Sequence, residues 1–324
     1  MIRRSSISPC KSRNLLDYFP IPLSKLVIGT VAWLATATFP SLASIVISSQ
    51  STENIDCVGG VCAPTAADAV LNVGDLENLL AAGNVEVTTT GTGVQANDID
   101  VDAALTWSST GTLSLDAYQS IAVGQAMTVT GSGGLTVAAN DGGSGGTFSF
   151  GRRGNVTFDN LSSPLIINGK RFKLVNSLPA LIAAVNARPK GAFALANSYD
   201  APRHKTYKRS PIGVLYGTIE GLGNTISHLA ISALGYDYSI TAMVREVHAK
   251  GVIENLHLSD IHIGWGTGAE SVGAGLVGVN SGYLFGDSVT GEVIATGTGE
   301  GAGGMVGDNP VSYTHLTLPT ILLV

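Results

Sequence analysis

Four groups of residues in this 324-residue sequence have types and spacings that could do chemistry. Asp100, Asp102 and Asp116 fall in the outward phase of two alternating segments, Ile99-Asp100-Val101-Asp102 and Leu113-Ser114-Leu115-Asp116. On neighbouring strands such carboxylates would stack, and stacked carboxylates bind Ca²⁺ or share acid/base work. Asp is equally what the polar phase of an alternating strand presents. No Lys or Arg occurs between residues 44 and 151 to stabilise an abstracted carbanion, which argues against a lyase. His257, Asp260 and His262 form the second group, within Leu256 to Ile263. Leu256, Leu258, Ile261 and Ile263 point inward and both His outward if Ser259-Asp260 makes a bulge or turn. A metal site, a Ser/His/Asp arrangement or plain surface decoration would fit that spacing.

The third group is basic: Arg203, Lys205, Tyr207, Lys208 and Arg209, between Pro202 and Pro211. The prolines predict an exposed loop, and basic plus aromatic side chains could hold an anionic sugar or nucleic acid. This is the candidate contact patch. The fourth group is Cys57 and Cys62 in Cys-Val-Gly-Gly-Val-Cys. An even pair in an exported chain reads as a disulfide, and the two glycines let so small a ring close. A metal site would need further ligands nearby. Gly221-x-Gly223 is not followed by a dinucleotide-binding helix, and the glycines near Asp141 are not the nonapeptide Ca²⁺ repeat. The expectation is a protein with no catalytic, cofactor or metal residues, and not an enzyme.

Composition bounds the class. With 41 Gly, 13% charged and 6% aromatic residues, the chain is too apolar for a disordered tail, and its glycines lack the collagen triplet. Arg3, Arg4, Lys11, Arg13 and Lys25 lead into an uncharged apolar run, Leu26 to Phe39, then Ser41-Leu42-Ala43. Residues 1–43 therefore read as a long cleaved signal peptide, its apolar run of about 14 residues being short for a membrane span. No stable transmembrane segment is expected after cleavage. At the other end, Val311 to Thr320 breaks the preceding pattern and matches one reading frame of a transposon-type sequencing adapter. Residues 311–324 are thus expected to be a non-native tail, the chain being a fragment. The stretch 44–310 carries 13 bases and 23 acids. All 13 bases lie in 152–250, forming a basic belt between two acidic segments. Such a belt could meet an anionic glycan, lipopolysaccharide or another chain's acidic segment, or only keep the surface soluble.

The elements that would position these groups are short strands. Residues 44–78 read as a polar linker with the Cys clip, ending in a helix from Val73. Asp75 is its expected cap, Leu76, Leu79 and Leu80 share a face, and Gly83 ends it. From Val85 the period becomes two: Val85-Glu86-Val87-Thr88, Met127-Thr128-Val129-Thr130, Leu135-Thr136-Val137 and others, closing with Leu165-Ile166-Ile167 and Phe172-Lys173-Leu174. Many short strands mean a sandwich, barrel or solenoid. Recurrent Gly-rich turns such as 140–146 favour the solenoid, whose coils stack to share one core. At roughly 25 residues per coil, about ten coils would make a rod near 50 Å long. The predicted fold class is all-β, a β-solenoid with a short helical insertion near 177–187. Ser177 caps that helix, and Leu178, Leu181, Ile182 and Val185 share its buried face. The solenoid divides into 79–200 and 201–310.

The second part repeats. Ala274-Gly275-Leu276-Val277-Gly278-Val279-Asn280 matches Gly303-Gly304-Met305-Val306-Gly307-Asp308-Asn309. Asn280 and Asn309 would stack at coil corners and share amide hydrogen bonds. Gly275, Gly278, Gly304 and Gly307 would allow positive φ or close backbone contact. These motifs resemble the GLUG repeats of large bacterial surface proteins. Leu79 to Val85, Leu105 to Ser109, Phe193 to Asn197 and Gly217 to Ile226 are similar to filamentous-haemagglutinin-like exoproteins. The resemblance implies that the solenoid is a right-handed parallel β-helix, with a secreted or cell-surface place on a Gram-negative bacterium. It implies a role in attachment or biofilm. The partners it implies are an outer-membrane transporter for export and an anionic glycan or host-cell surface, with no nucleic acid. The alternatives are a fragment of a carbohydrate-active β-helix enzyme, or a stalk displaying a missing C-terminal domain.

Overall fold

The computed structural model describes residues 43–202, 205–233, 240–265, 271–295 and 301–310. Of the expected signal segment 1–43 only Ala43 is among them, and the expected tail 311–324 lies outside them. The described chain is mostly β, with two ten-residue helices, α1 (Val73–Ala82) and α2 (Leu178–Ala187).

In the first half the chain makes a repeating circuit. Asp98–Val101, Leu105–Trp107 and Leu113–Asp116 are followed by Ile121–Val123, Ala126–Val129 and Leu135–Ala138. A third round uses Phe148–Phe150, Asn155–Phe158 and Leu165–Ile167. Each strand pairs in parallel with its counterpart one round away: Ile99 with Ile121, Leu105 with Met127, Leu113 with Leu135. The alternating phase decides the facing. Leu113 and Leu115 are buried while Ser114 and Asp116 are partly exposed. Registered apolar residues from successive rounds then share one core, including Ile99, Leu105, Leu113, Met127 and Phe158.

Three features depart from the sequence expectation. The stretch 44–70 is no linker: Ser44–Ser48 lies inside the first ladder, between Ala69–Asn72 and Asp98–Val101, with Ile45 and Ile47 fully buried. Its isolated alternation, surrounded by Ser and Thr, is too short to stand out in the sequence. The cap of α1 is Asn72, whose Oδ1 accepts from the Gly74 and Asp75 amides at 2.9 and 3.3 Å. Asp75 sits inside the first turn instead and accepts from Thr52 Oγ1. Third, the parallel run reverses after Ile167. Leu165–Ile167 and Lys170–Val175 form an antiparallel hairpin over Asn168-Gly169, both at positive φ (47° and 74°). Asn-Gly is the residue pair that a two-residue turn of this type demands. The chain direction therefore changes at 168/169.

Beyond the hairpin, strands again pair in parallel: Lys173 with Phe193, Ile219 with Ile253, Ile253 with Leu284. One eleven-stranded sheet runs through both halves, from Ile55–Val58 to Tyr283–Phe285. Round lengths vary about the expected value of roughly 25, from 20 residues between Lys173 and Phe193 to 34 between Thr218 and Val252. The helix α2 forms as read: Ser177 Oγ accepts from the Ala180 amide, and Leu178, Leu181 and Val185 are buried.

Cys57 and Cys62 are disulfide-bonded, directly opposite each other in a hairpin turned by Gly59-Gly60, both at positive φ. Ile55–Val58 is the outermost strand of the long sheet, so the bond clips an edge. A six-residue loop closure is worth about 2 kcal/mol. Replacing both cysteines by Ser is expected to lower stability by about that amount, read as a shift of the urea unfolding midpoint.

Candidate functional site

The repeat motif lies where two rounds meet. Val277 pairs with Val306, and Ala274 with Gly303, 29 residues on. Asn280 Nδ2 donates to Asn309 Oδ1 at 3.4 Å, the amide stack expected from the sequence. The glycines serve close packing: a Cβ on Gly278 would lie 2.2 Å from Ile240 Cγ2, and one on Gly275 would lie 2.5 Å from the Gly304 carbonyl. None of Gly275, Gly278, Gly304 and Gly307 has a positive φ. A third, degenerate copy precedes them. Val244 pairs with Val277 and Val247 with Asn280, so Ala242-Met243-Val244 occupies the same place one round earlier. Only the conserved pairing register shows it, because Arg245 and Val247 replace the diagnostic Gly and Asn.

A polar corner follows the strands Thr218–Glu220, Val252–Glu254 and Tyr283–Phe285. Glu220 and Glu254 stack in register. Glu220 is fully buried, its Oε1 accepting from the Leu222 amide at 2.8 Å and Asn255 Nδ2 at 3.1 Å. Burial, opposed by these hydrogen bonds, pushes its pKa up to about 8, so it is neutral at pH 7. Burial also raises Glu254, against the pull of Lys170, and raises Asp287, which accepts from the Leu256 amide at 2.9 Å. Asn255 Nδ2 reaches on to the Phe148 carbonyl at 3.4 Å. The buried Asn224 donates to the carbonyls of Val156 (2.8 Å) and Leu195 (2.9 Å). This corner joins the two halves, and its signal in the sequence was only Gly-Asn and Glu-Asn pairs after strands.

The Asp group is not one site. Asp100 belongs to the five-stranded ladder and Asp116 to the eleven-stranded sheet. Burial raises both pKa values; Asp102 and Asp98 add to Asp100, and Asp141 and Glu86 to Asp116. The bulge at Ser259-Asp260 is present, with a register shift between Leu258 and Ile261 and Asp260 at φ 51°. His257 Nδ1 lies 2.8 Å from Ser288 Oγ, and burial lowers its pKa. His262 Nδ1 lies 3.2 Å from Glu292 Oε2. Among the described residues, no group of three or more His, Cys, Asp or Glu is arranged to hold a metal ion.

Arg203 lies outside the described residues. The rest of its segment is not a bare loop: Thr206-Tyr207 is a strand at the edge of a six-stranded sheet, pairing with Ala230-Ile231. Tyr207 packs on a second core, whose buried residues include Leu195, Ile219, Ile253 and Leu276, while Lys205, Lys208 and Arg209 are exposed. Lys205 Nζ sits 5.1 Å from the Tyr207 ring centroid, a cation–π contact. The apolar strand period was hidden in the sequence because only two residues pair. Comparison with family models, with curated proteins and with solved structures returns no match to this chain. Among the described residues no helix is long and apolar enough to cross a membrane.

Glu220 sets a pH dependence. The unfolded carboxyl loses its proton near pH 4.5, whereas the folded one keeps it until about 8. The native state therefore binds more protons across this window, and stability falls as pH rises through it, by up to about 5 kcal/mol. Glu220→Gln is expected to flatten that slope, measured as urea midpoints at pH 5 and pH 8.5.

Proposed function

We propose that this protein is a secreted or cell-surface attachment protein built as a right-handed parallel β-solenoid. The ligand contact is the cationic edge Lys205, Lys208 and Arg209. The observation that carries the reading is this exposed, aromatic-anchored basic edge on a long stack of parallel strands. Parallel rounds that share registered cores support the solenoid, and the Asn280–Asn309 stack supports the repeat family it resembles. Tyr207 anchors the two-residue strand, and the three cations flank it, Lys205 before and Lys208 and Arg209 after. An anionic glycan on a cell surface matches their charge. Export through an outer-membrane transporter of a Gram-negative bacterium belongs to the same proposal.

Lysines beside an edge strand also discourage edge-to-edge pairing, which favours a stalk as the second reading. The two readings separate on charge reversal. Replacing Lys205, Lys208 and Arg209 by Glu is expected to weaken binding to cells or immobilised anionic glycan at least tenfold. The thermal midpoint should stay unchanged, since all three are exposed. Unchanged binding would leave only the stalk.

A further inference from the structure

A second group of cations lines a groove between the returning strand of the hairpin and the exit of α2. Two adjoining hollows, of about 400 and 530 Å³, share Arg188 and Gly191 in their walls. Arg171 and Lys173 line one side; they are two residues apart, so they project from the same face of Lys170–Val175. Arg188, the C-cap of α2, and Lys190 line the other. No Asp or Glu is in either wall, and none of the four cations makes an ion pair among the described residues. The hollow stays open at Gly191, where a Cβ would strike the Phe193 ring at 2.5 Å.

Two further features mark a ligand site and not merely a charged surface. Ser163 is 5% exposed and in the wall, and its Oγ has no hydrogen-bond partner among the described residues. An unsatisfied buried hydroxyl is destabilising, a cost that a ligand acceptor would remove once the hydroxyl turns toward it. Tyr216 closes the far end, 38% exposed, its ring 4.5 Å from that of His248 and its amide held by the Pro189 carbonyl. One exposed ring offers a face for one sugar. Single-stranded nucleic acid uses a series of such platforms, whereas Phe172 and Phe193 here are buried in the floor.

We propose that this groove binds a single sugar unit bearing a sulfate or phosphate ester. The ester oxygens lie among Arg171, Lys173, Arg188 and Lys190, an oxygen also accepts from Ser163, and the ring packs on Tyr216. Sulfate and phosphate esters share this chemistry, and the probes separate the two sources.

The test titrates the protein with glucose 6-sulfate, glucose 6-phosphate, glucose and a short single-stranded oligonucleotide, following chemical shifts by NMR. At least one ester is expected to bind at least tenfold tighter than glucose, and the tighter ester names the source. Arg171→Gln with Lys173→Gln should weaken it at least tenfold. Ser163→Ala, which changes no charge, should weaken it about threefold or more. Replacing Lys205, Lys208 and Arg209 by Gln should leave it within twofold, which keeps this site distinct from the cationic edge. The proposal is overturned if glucose binds as well as both esters. It is equally overturned if the groove double variant or Ser163→Ala binds like the parent. An oligonucleotide that outcompetes the bound ester at equal charge would reassign the groove to nucleic acid and overturn it as well.

Discussion

A stack of parallel strands ends in a row of unpaired backbone groups, and this molecule is organised around satisfying one such row. Asn155–Phe158 and Phe148–Phe150 are the last strands of their ladders. The Val156 and Phe158 amides donate to the carbonyls of Leu222 and Ala196, each at 2.9 Å. Asn197, Asn224 and Asn255 supply amide donors to the carbonyls of Phe158, Val156 and Phe148. An open edge would invite pairing with another chain. Here the corners of three successive rounds of the second half cover it, and Ala194, Ala196 and Leu222 join the first core.

That seal requires the chain to turn back, and the turn has consequences for charge. The Asn168-Gly169 hairpin reverses strand direction without leaving the long sheet. It brings Arg171 and Lys173 to the outer face beside the exit of α2, and thereby builds the cation-lined groove. The same seal brings acids inside. Glu220 holds the Leu222 amide and Asn255 in place, and it does so as a neutral acid because burial makes the carboxylate too costly. Charge is thus partitioned, with cations presented on the outside and the buried Glu220 working as a hydrogen-bond partner at the corner.

The legible parts of the sequence were those with local causes. Period-two alternation gave the facing of Leu113 to Asp116, and the i, i+3, i+4, i+7 spacing with Ser177 gave α2. Two glycines between Cys57 and Cys62 gave the clip. The repeated Gly and Asn positions gave the stacked amides. Less legible were elements whose partners are distant. Ser44–Ser48 is a strand because Ala69–Asn72 and Asp98–Val101 flank it, and Thr206-Tyr207 because Ala230-Ile231 does. The Asn168-Gly169 turn had a local signal, hidden by reading its two flanking strands as successive members of one parallel series.

By itself, then, the sequence determined an all-β chain of short, one-sided strands with a basic middle, since facing and turn chemistry depend on near neighbours. The tertiary structure alone decided which strands are adjacent, where direction reverses and which charges converge. Arg171, Lys173, Arg188, Lys190 and Ser163 are spread over 28 positions of sequence, and their convergence depends on a hairpin and a helix exit. Glu220 reads as an ordinary outward acid until the corner of the next round closes over it, because burial is a property of the stack and not of the strand.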